Sequence, residues 1–190
     1  MKKANKDHIQ YGHVLSMILL GIILMFICFF THADVINDVP CFVHPYENAW
    51  GNMKEIEEII VHCSATPEGK DFTVDQLTEW HQQRGFRTIG YHYVIDLQGT
   101  IHAGRPPTMV GAHCRGHNAR SIGICYIGGL ACDGKTPMDT RTEAQKRALA
   151  HLLQVLHAQY PQATLHGHRE FTNKACPSFD CHEYDSIFDS

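Results

Sequence analysis

The sequence predicts a single α/β domain: a central mixed β-sheet with α-helices packed on both of its faces. Three observations lead there. Apolar runs of strand length at 56–62, 90–96 and 121–128 alternate with two amphipathic stretches of helical period. Each amphipathic stretch opens on a Thr-x-x-Gln/Glu capping signal, Thr73-Val74-Asp75-Gln76 and Thr140-Arg141-Thr142-Glu143. A glycine turn, Leu97-Gln98-Gly99-Thr100, leads from the run at 90–96 into a short strand at 100–103 as a hairpin. Strands alternating with helices, plus one hairpin, make a mixed sheet with helices laid on it.

The amino terminus stands apart from this pattern. Lys2, Lys3 and Lys6 precede an apolar run from Val14 to Phe30, followed by Thr31-His32-Ala33 and by Asp34 and Asp38. That order marks residues 1–33 as an export signal that leaves the lysines inside and sends the rest across the membrane. The 17-residue run is long for a signal-peptide core and short for a membrane span, so it reads either as a signal peptide cut after Ala33 or as a retained anchor through 14–30. The protein is therefore expected outside the cytoplasm, in the periplasm, at the cell wall or secreted. Residues 34–53, with Pro40, Pro45, Asn48, Gly51 and Asn52, read as a linker or arm.

The folded domain is expected over 54–190. At 190 residues the chain has room for one domain plus this extension, with a core large enough to fold without a metal. A formal charge of −4 with no basic block gives no support to nucleic-acid binding, and a monomer is expected. Its first strand is 56–62 and its first helix 74–84, with Val74, Leu77, Trp80 and His81 on one face and Gly85 as the stop. Strands at 90–96 and 100–103 follow, then one at 121–128. The second helix carries the stripe Ala144, Ala148, Leu152, Val155, Leu156 and Gln159 and ends before Pro161. A short strand at 163–165 delivers the stretch His166 to Cys176. The acidic residues from Glu183 to Ser190 carry no readable function.

The stretch His166-Gly167-His168-Arg169-Glu170-Phe171-Thr172-Asn173-Lys174-Ala175-Cys176-Pro177 has the chemistry of the edge of a zinc site. Imidazole and thiolate suit Zn²⁺, and three protein ligands leave one position open for water. The best third ligand is His62, at the end of the buried strand in Ile60-Val61-His62-Cys63-Ser64-Ala65-Thr66. His166 is the rival to His168, although it points the other way in an extended segment. A Cys176–Cys181 disulfide is the rival use of Cys176. Beyond residue 33 there are seven cysteines: Cys41, Cys63, Cys114, Cys125, Cys132, Cys176 and Cys181. An odd number fits one metal thiolate and up to three disulfides, with Cys63 and Cys125 reading as small buried hydrophobes.

Three ordered stretches, Ile60 to Thr66, Gly90-Tyr91-His92-Tyr93-Val94-Ile95 and Lys174-Ala175-Cys176-Pro177-Ser178-Phe179-Asp180, closely resemble the zinc-dependent N-acetylmuramoyl-L-alanine amidases. These are the type 2 amidase and peptidoglycan recognition protein family, and the likeness is greatest to its phage branch. It covers roughly 54–181. The resemblance implies one Zn²⁺ held by His62, His168 and Cys176, with Tyr91 and Lys174 as catalytic residues. A phenol hydroxyl and an ammonium are suited to donating hydrogen bonds to the oxyanion formed when an amide carbonyl is attacked. The segments Val110-Gly111-Ala112-His113 and His117-Asn118-Ala119-Arg120 resemble family stretches lining the substrate groove, which implies His113 and Asn118 as substrate contacts.

The activity so implied is hydrolysis of the amide between N-acetylmuramic acid and the L-alanine of the peptidoglycan stem peptide, with peptidoglycan or its muropeptides as partner. Rival readings are a non-catalytic peptidoglycan recognition module, a phage lysin or antibacterial effector with the same chemistry, and a closed structural zinc site with Cys181 or His166 as fourth ligand. Members without catalysis lack the zinc cysteine, whereas Cys176 and Lys174 are both present here. Arg105 and Arg120 are candidate partners for peptide carboxylates. His92 reads as structural, while His81, His151 and His157 read as helix residues. Ser64 lacks the Gly-x-Ser-x-Gly setting of a nucleophile.

Overall fold

The computed structural model describes residues 55–189. The expected export signal at 1–33 and the arm at 34–53 lie outside the described residues. Among the described residues no helix is long and apolar enough to cross a membrane.

The elements run β1 (Glu58–Cys63), β2 (Thr66–Pro67), α1 (Val74–Gln83), β3 (Tyr93–Ile95), β4 (Ile101–Ala103), β5 (Ser121–Tyr126), β6 (Gly129–Leu130), α2 (Glu143–Gln159) and β7 (Thr164–Gly167). Two 3₁₀ segments follow, His168–Glu170 and Cys181–Ile187. The main sheet has the order β4-β3-β5-β1-β7, parallel except for the β3–β4 hairpin. It is therefore mixed, as expected. The β2–β6 ladder is a separate two-stranded sheet whose strands are too short to announce themselves by periodicity.

Alternation along the strands divides the core in two. Ile59, Val61 and Cys63 of β1 join Ile122, Ile124 and Tyr126 of β5 against Ala148, Leu149, Leu152, Leu153 and Leu156 of α2. Val94, Cys125 and Ile127 face the other way, against Leu77 of α1. His62 pairs in register with Cys125, so it projects on the α1 side. Leu149 and Leu153 are almost wholly buried, and truncating either to Ala is expected to cost about 2–5 kcal/mol.

Both helices start on capping boxes, one of them not where the sequence suggests. Thr73 and Gln76 exchange their side-chain and backbone bonds at α1. At α2 the box is Thr142 with Gln145, two residues beyond the expected Thr140. Thr140 instead accepts the Gly129 N–H through Oγ1 at 2.7 Å. Gln145 is fully buried, and its amide donates to the Ile127 and Ile95 carbonyls, tying α2 to the sheet. The buried stripe of α2 follows this phase, so Val155, expected inside, is 47% exposed.

Residues 90–92, expected in a strand, precede β3 and turn aside to meet a neighbouring loop. Gly90 and Gly104 each leave room there for backbone that a Cβ would strike, at the carbonyl oxygens of Ala112 and Tyr91 respectively. The acidic tail is part of the core. Cys181 is buried in the α2-side cluster, with Tyr184, Ile187 and Phe188 packed against it. Arg141 clamps this segment down. Its side chain is 1% exposed and pairs with Asp139 and Glu183, both at 2.7 Å. It also donates to Tyr184 Oη and lies 3.2 Å over the Phe179 ring.

Candidate active site

The strand register brings two histidines together. Val61 of β1 pairs with Gly167 of β7, so the residues that follow them, His62 and His168, emerge side by side with ring centroids 4.4 Å apart. The chain then folds back to return a thiol to the same place. Thr172 Oγ1 donates to the His168 carbonyl, Arg169 Nη2 donates to the Ala175 carbonyl at 2.9 Å, and the Ser178 N–H closes a turn on Ala175 O at 2.7 Å. Tyr126 Oη donates to the Pro177 carbonyl, anchoring the turn to β5. Cys176 thereby faces His62, its Sγ 3.8 Å from His62 Nδ1.

The ligand atoms of His62, His168 and Cys176 all lie within 4.8 Å of one another. A tetrahedral ion with bonds of about 2.0 Å to nitrogen and about 2.3 Å to sulfur spans an N···S edge of about 3.5 Å, so this donor set fits one. Its electrostatics fit too. Burial first, then the neighbouring His113, His168 and Lys174, holds His62 well below the ordinary histidine pKa. His168 is lowered by burial and by Lys174. Both imidazoles are thus neutral at neutral pH, with lone pairs available to a cation.

The thiol has a close neighbour in Cys63, which is a small buried residue as expected. Cys63 is buried, yet its thiol touches Cys176 and its backbone N–H donates to Cys176 Sγ at 3.3 Å. Without a cation, the hydrogen bond between the two thiols draws the Cys63 pKa down to about 7 and, with burial, pushes the Cys176 thiol up. A cation held by His62 and His168 would favour the thiolate on Cys176 instead. His166 turns away: its Nδ1 is 2.6 Å from Glu170 Oε2 and its Nε2 2.9 Å from Thr164 Oγ1. Cys181 lies in the α2-side core, outside the cluster. All six described cysteines are free, so neither a Cys176–Cys181 bridge nor any other disulfide forms among the described residues.

Tyr91 packs on His62, with ring centroids 5.2 Å apart, and on His81 at 5.3 Å. Burial, followed by the thiols of Cys125, Cys176 and Cys63, raises its phenol well above the usual tyrosine pKa, so it remains a donor. Lys174 is exposed and lines a cavity of about 390 Å³ together with His168, Thr172, His113, Asn118 and Arg115. The cavity thus reaches a metal-ligand candidate and a cation at one wall.

His113 and Asn118 both line this cavity, and both also support the centre. His113 Nδ1 is 3.0 Å from His62 Nε2, the nitrogen turned away from Cys176. Asn118 Oδ1 accepts the N–H groups of His113 and Cys114 at 2.8 and 2.9 Å, holding the loop that carries His113. His92 is fully buried, accepts from Gly123 N–H and bonds Met109 O, with its ring 5.6 Å from that of His113. His81 does more than fill a helix face: its Nδ1 accepts the Gly90 N–H at 2.8 Å next to Tyr91. Arg105 is spent on the Ile89 and Val110 carbonyls, and Arg120 on Glu57. The overlooked contributor is Gly123, in the middle of β5 beneath His113. A glycine inside a strand pattern is a readable sign that something approaches closely.

Comparison with known proteins places the chain among relatives. The family model Amidase_2, described as N-acetylmuramoyl-L-alanine amidase, matches residues 52–179. The endolysin of Klebsiella phage KP32 is 42% identical over 127 residues, covering 67% of this chain and 83% of that protein. Among solved structures, the endolysin N-acetylmuramoyl-L-alanine amidase LysCS of Clostridium intestinale aligns with a TM-score of 0.61 at 30% identity, covering 71% of this chain and 84% of the other. A mutant of the Drosophila peptidoglycan recognition protein LB, solved in complex with tracheal cytotoxin, aligns with a TM-score of 0.55 at 26% identity over 65% of this chain and 76% of its own. With a family model spanning most of the folded domain and relatives of this similarity, the chain belongs to the N-acetylmuramoyl-L-alanine amidase family.

Proposed function

We propose that this protein is a zinc-dependent amidase that cleaves the bond between N-acetylmuramic acid and the L-alanine of the stem peptide. The observation that carries this reading is the convergence of His62, His168 and Cys176 beside a cavity walled by Lys174, in a chain of this family. His62, His168 and Cys176 would hold the ion. Zinc in such a site supplies Lewis acidity and lowers the pKa of water towards about 7.

The chain's own residues supply the rest. The half-buried Tyr91 keeps its phenol protonated and donates a hydrogen bond towards the oxyanion that develops on the amide carbonyl. The Lys174 ammonium, at the cavity wall beside His168, offers a second donor and positive charge to the same oxygen. His113 and Asn118 offer cavity surface to the muropeptide.

The substrate lies outside the cytoplasmic membrane, which accords with the export signal read at 1–33 and with action in the periplasm or wall, freely or through an anchor at 14–30. The name endolysin carried by relatives favours a lysin role. The test is mass spectrometry of peptidoglycan digested with the purified protein, with chelator and with zinc restored. Release of intact stem peptides beginning at L-alanine, stopped by chelator and restored by zinc, is expected. Muropeptide binding without release would make the protein a recognition module instead.

A further inference from the structure

We propose that His113 is the positioning residue that fixes His62 as a metal ligand, through a one-way chain of hydrogen bonds that runs from His62 to the start of β5. The geometry decides the direction of each link. His62 turns Nδ1 towards Cys176, 3.8 Å away, and Nε2 towards His113, 3.0 Å away. A neutral imidazole that gives its Nδ1 lone pair to a cation carries its proton on Nε2. His62 Nε2–H is then the donor and His113 Nδ1 the acceptor.

An accepting Nδ1 places the proton of neutral His113 on Nε2, which lies 3.4 Å from Ser121 Oγ. Ser121 Oγ accepts that bond and donates its own O–H to the His117 carbonyl, 2.8 Å away. Every link in the sequence His62, His113, Ser121, His117 has one donor and one acceptor. The tautomer of His62 is set by the far end of the chain, at a backbone carbonyl.

The fold is shaped to hold this imidazole. A Cβ on Gly123 would stand 2.5 Å from His113 Cδ2, and a Cβ on Gly111 would stand at the same distance from the same atom. The ring therefore lies in a slot between two glycines, with the buried His92 ring at 5.6 Å beyond it. Asn118 ties down the backbone of His113 itself. A residue serving only as adaptable cavity lining has no need of such a slot, whereas one that aims a ligand does.

This inference rests on the metal-amidase reading, and its test needs neither substrate nor turnover. Zinc affinity is measured by chelator competition on the full-length protein in detergent, for wild type, His113→Ala, His113→Gln and Gly123→Ala. Cobalt substitution adds the visible spectrum of the ion as a report on ligand geometry. Loss of a hydrogen-bonded partner of a ligating histidine weakens metal binding about 10–100-fold, and that loss is expected for His113→Ala with a changed cobalt spectrum. Gly123→Ala, which leaves His113 present but displaced, is expected to show the same direction of change. Gln, whose carbonyl accepts the His62 proton, is expected to recover part of the affinity.

Thermal unfolding of the metal-free proteins identifies any variant that fails to fold, and the remaining variants then carry the comparison. Unchanged zinc affinity and an unchanged cobalt spectrum in folded His113→Ala and Gly123→Ala would overturn the proposal and leave His113 a residue of the cavity wall. Failure of the wild type to bind zinc would instead remove the metal reading itself, together with this inference.

Discussion

His62 and Cys176 stand 114 positions apart in the chain, yet His62 Nδ1 and Cys176 Sγ are 3.8 Å from each other. The proximity depends on β1 lying beside β7 and on the turn at Ala175–Ser178, since neither residue has a local reason to meet the other. Replacing either by Ala is expected to abolish stoichiometric zinc binding and activity together. His168→Ala should behave alike, because two ligands cannot hold the ion that three hold. Metal analysis after dialysis checks this; a variant that retains full zinc is not missing a ligand.

Lys174 lies on the cavity wall and outside the ligand cluster. Lys174→Ala should keep zinc and lose about 10²-fold in kcat, the scale of one donor to a developing oxyanion. Zinc loss equal to that of the ligand variants would reassign the residue.

Tyr91→Phe keeps the ring against His62 and His81 and removes the phenol proton. A fall in kcat of about 10²-fold with unchanged metal content is expected. Unaltered turnover would exclude the hydroxyl from the mechanism.

The two site histidines predict an acid-sensitive metal-free protein. Burial lowers the folded pKa of His62 and His168, while in the unfolded chain each titrates near about 6.5. As pH falls below about 6.5 the unfolded state takes up protons that the folded state refuses, so stability is full above that value and declines with acidification through the depressed folded pKa values. Urea midpoints of chelator-treated protein at pH 7.5 and 5.5 should show the drop, and His62→Ala should reduce it. A higher midpoint at pH 5.5 would contradict the neutral-histidine assignment.

Arg141→Ala removes a buried guanidinium that joins Asp139, Glu183 and Tyr184 and covers Phe179. Loss of a buried ionic and packing hub of this kind should cost about 2–3 kcal/mol in denaturant unfolding. An effect below about 0.5 kcal/mol would mean that the 181–187 segment is held by its apolar contacts alone.

Much of the candidate site is legible in the chain because its parts sit in short local patterns. His62 closes an apolar run, His168 and Cys176 share one stretch, and the type of each side chain already suits a cation. Apart from the short β2–β6 ladder, the strands and helices followed from period and capping within about two residues, except at 90–92, and the cap of α2 was displaced. There a tertiary contact moved the cap away from the expected Thr140. Thr140 was taken by Gly129, leaving Thr142 to cap.

What only the tertiary structure decided is which atoms meet across the sheet. Composition cannot tell that His113 turns Nδ1 to His62, that Cys63 lies against Cys176, or that Cys181–Ile187 closes the α2-side core, since each depends on strand register and on the path of loops between distant residues. Local pattern selects side chains for a chemistry. The register of β1 with β5 and β7, set by burying one face of each strand against α2, fixes the few ångströms that make those side chains a site.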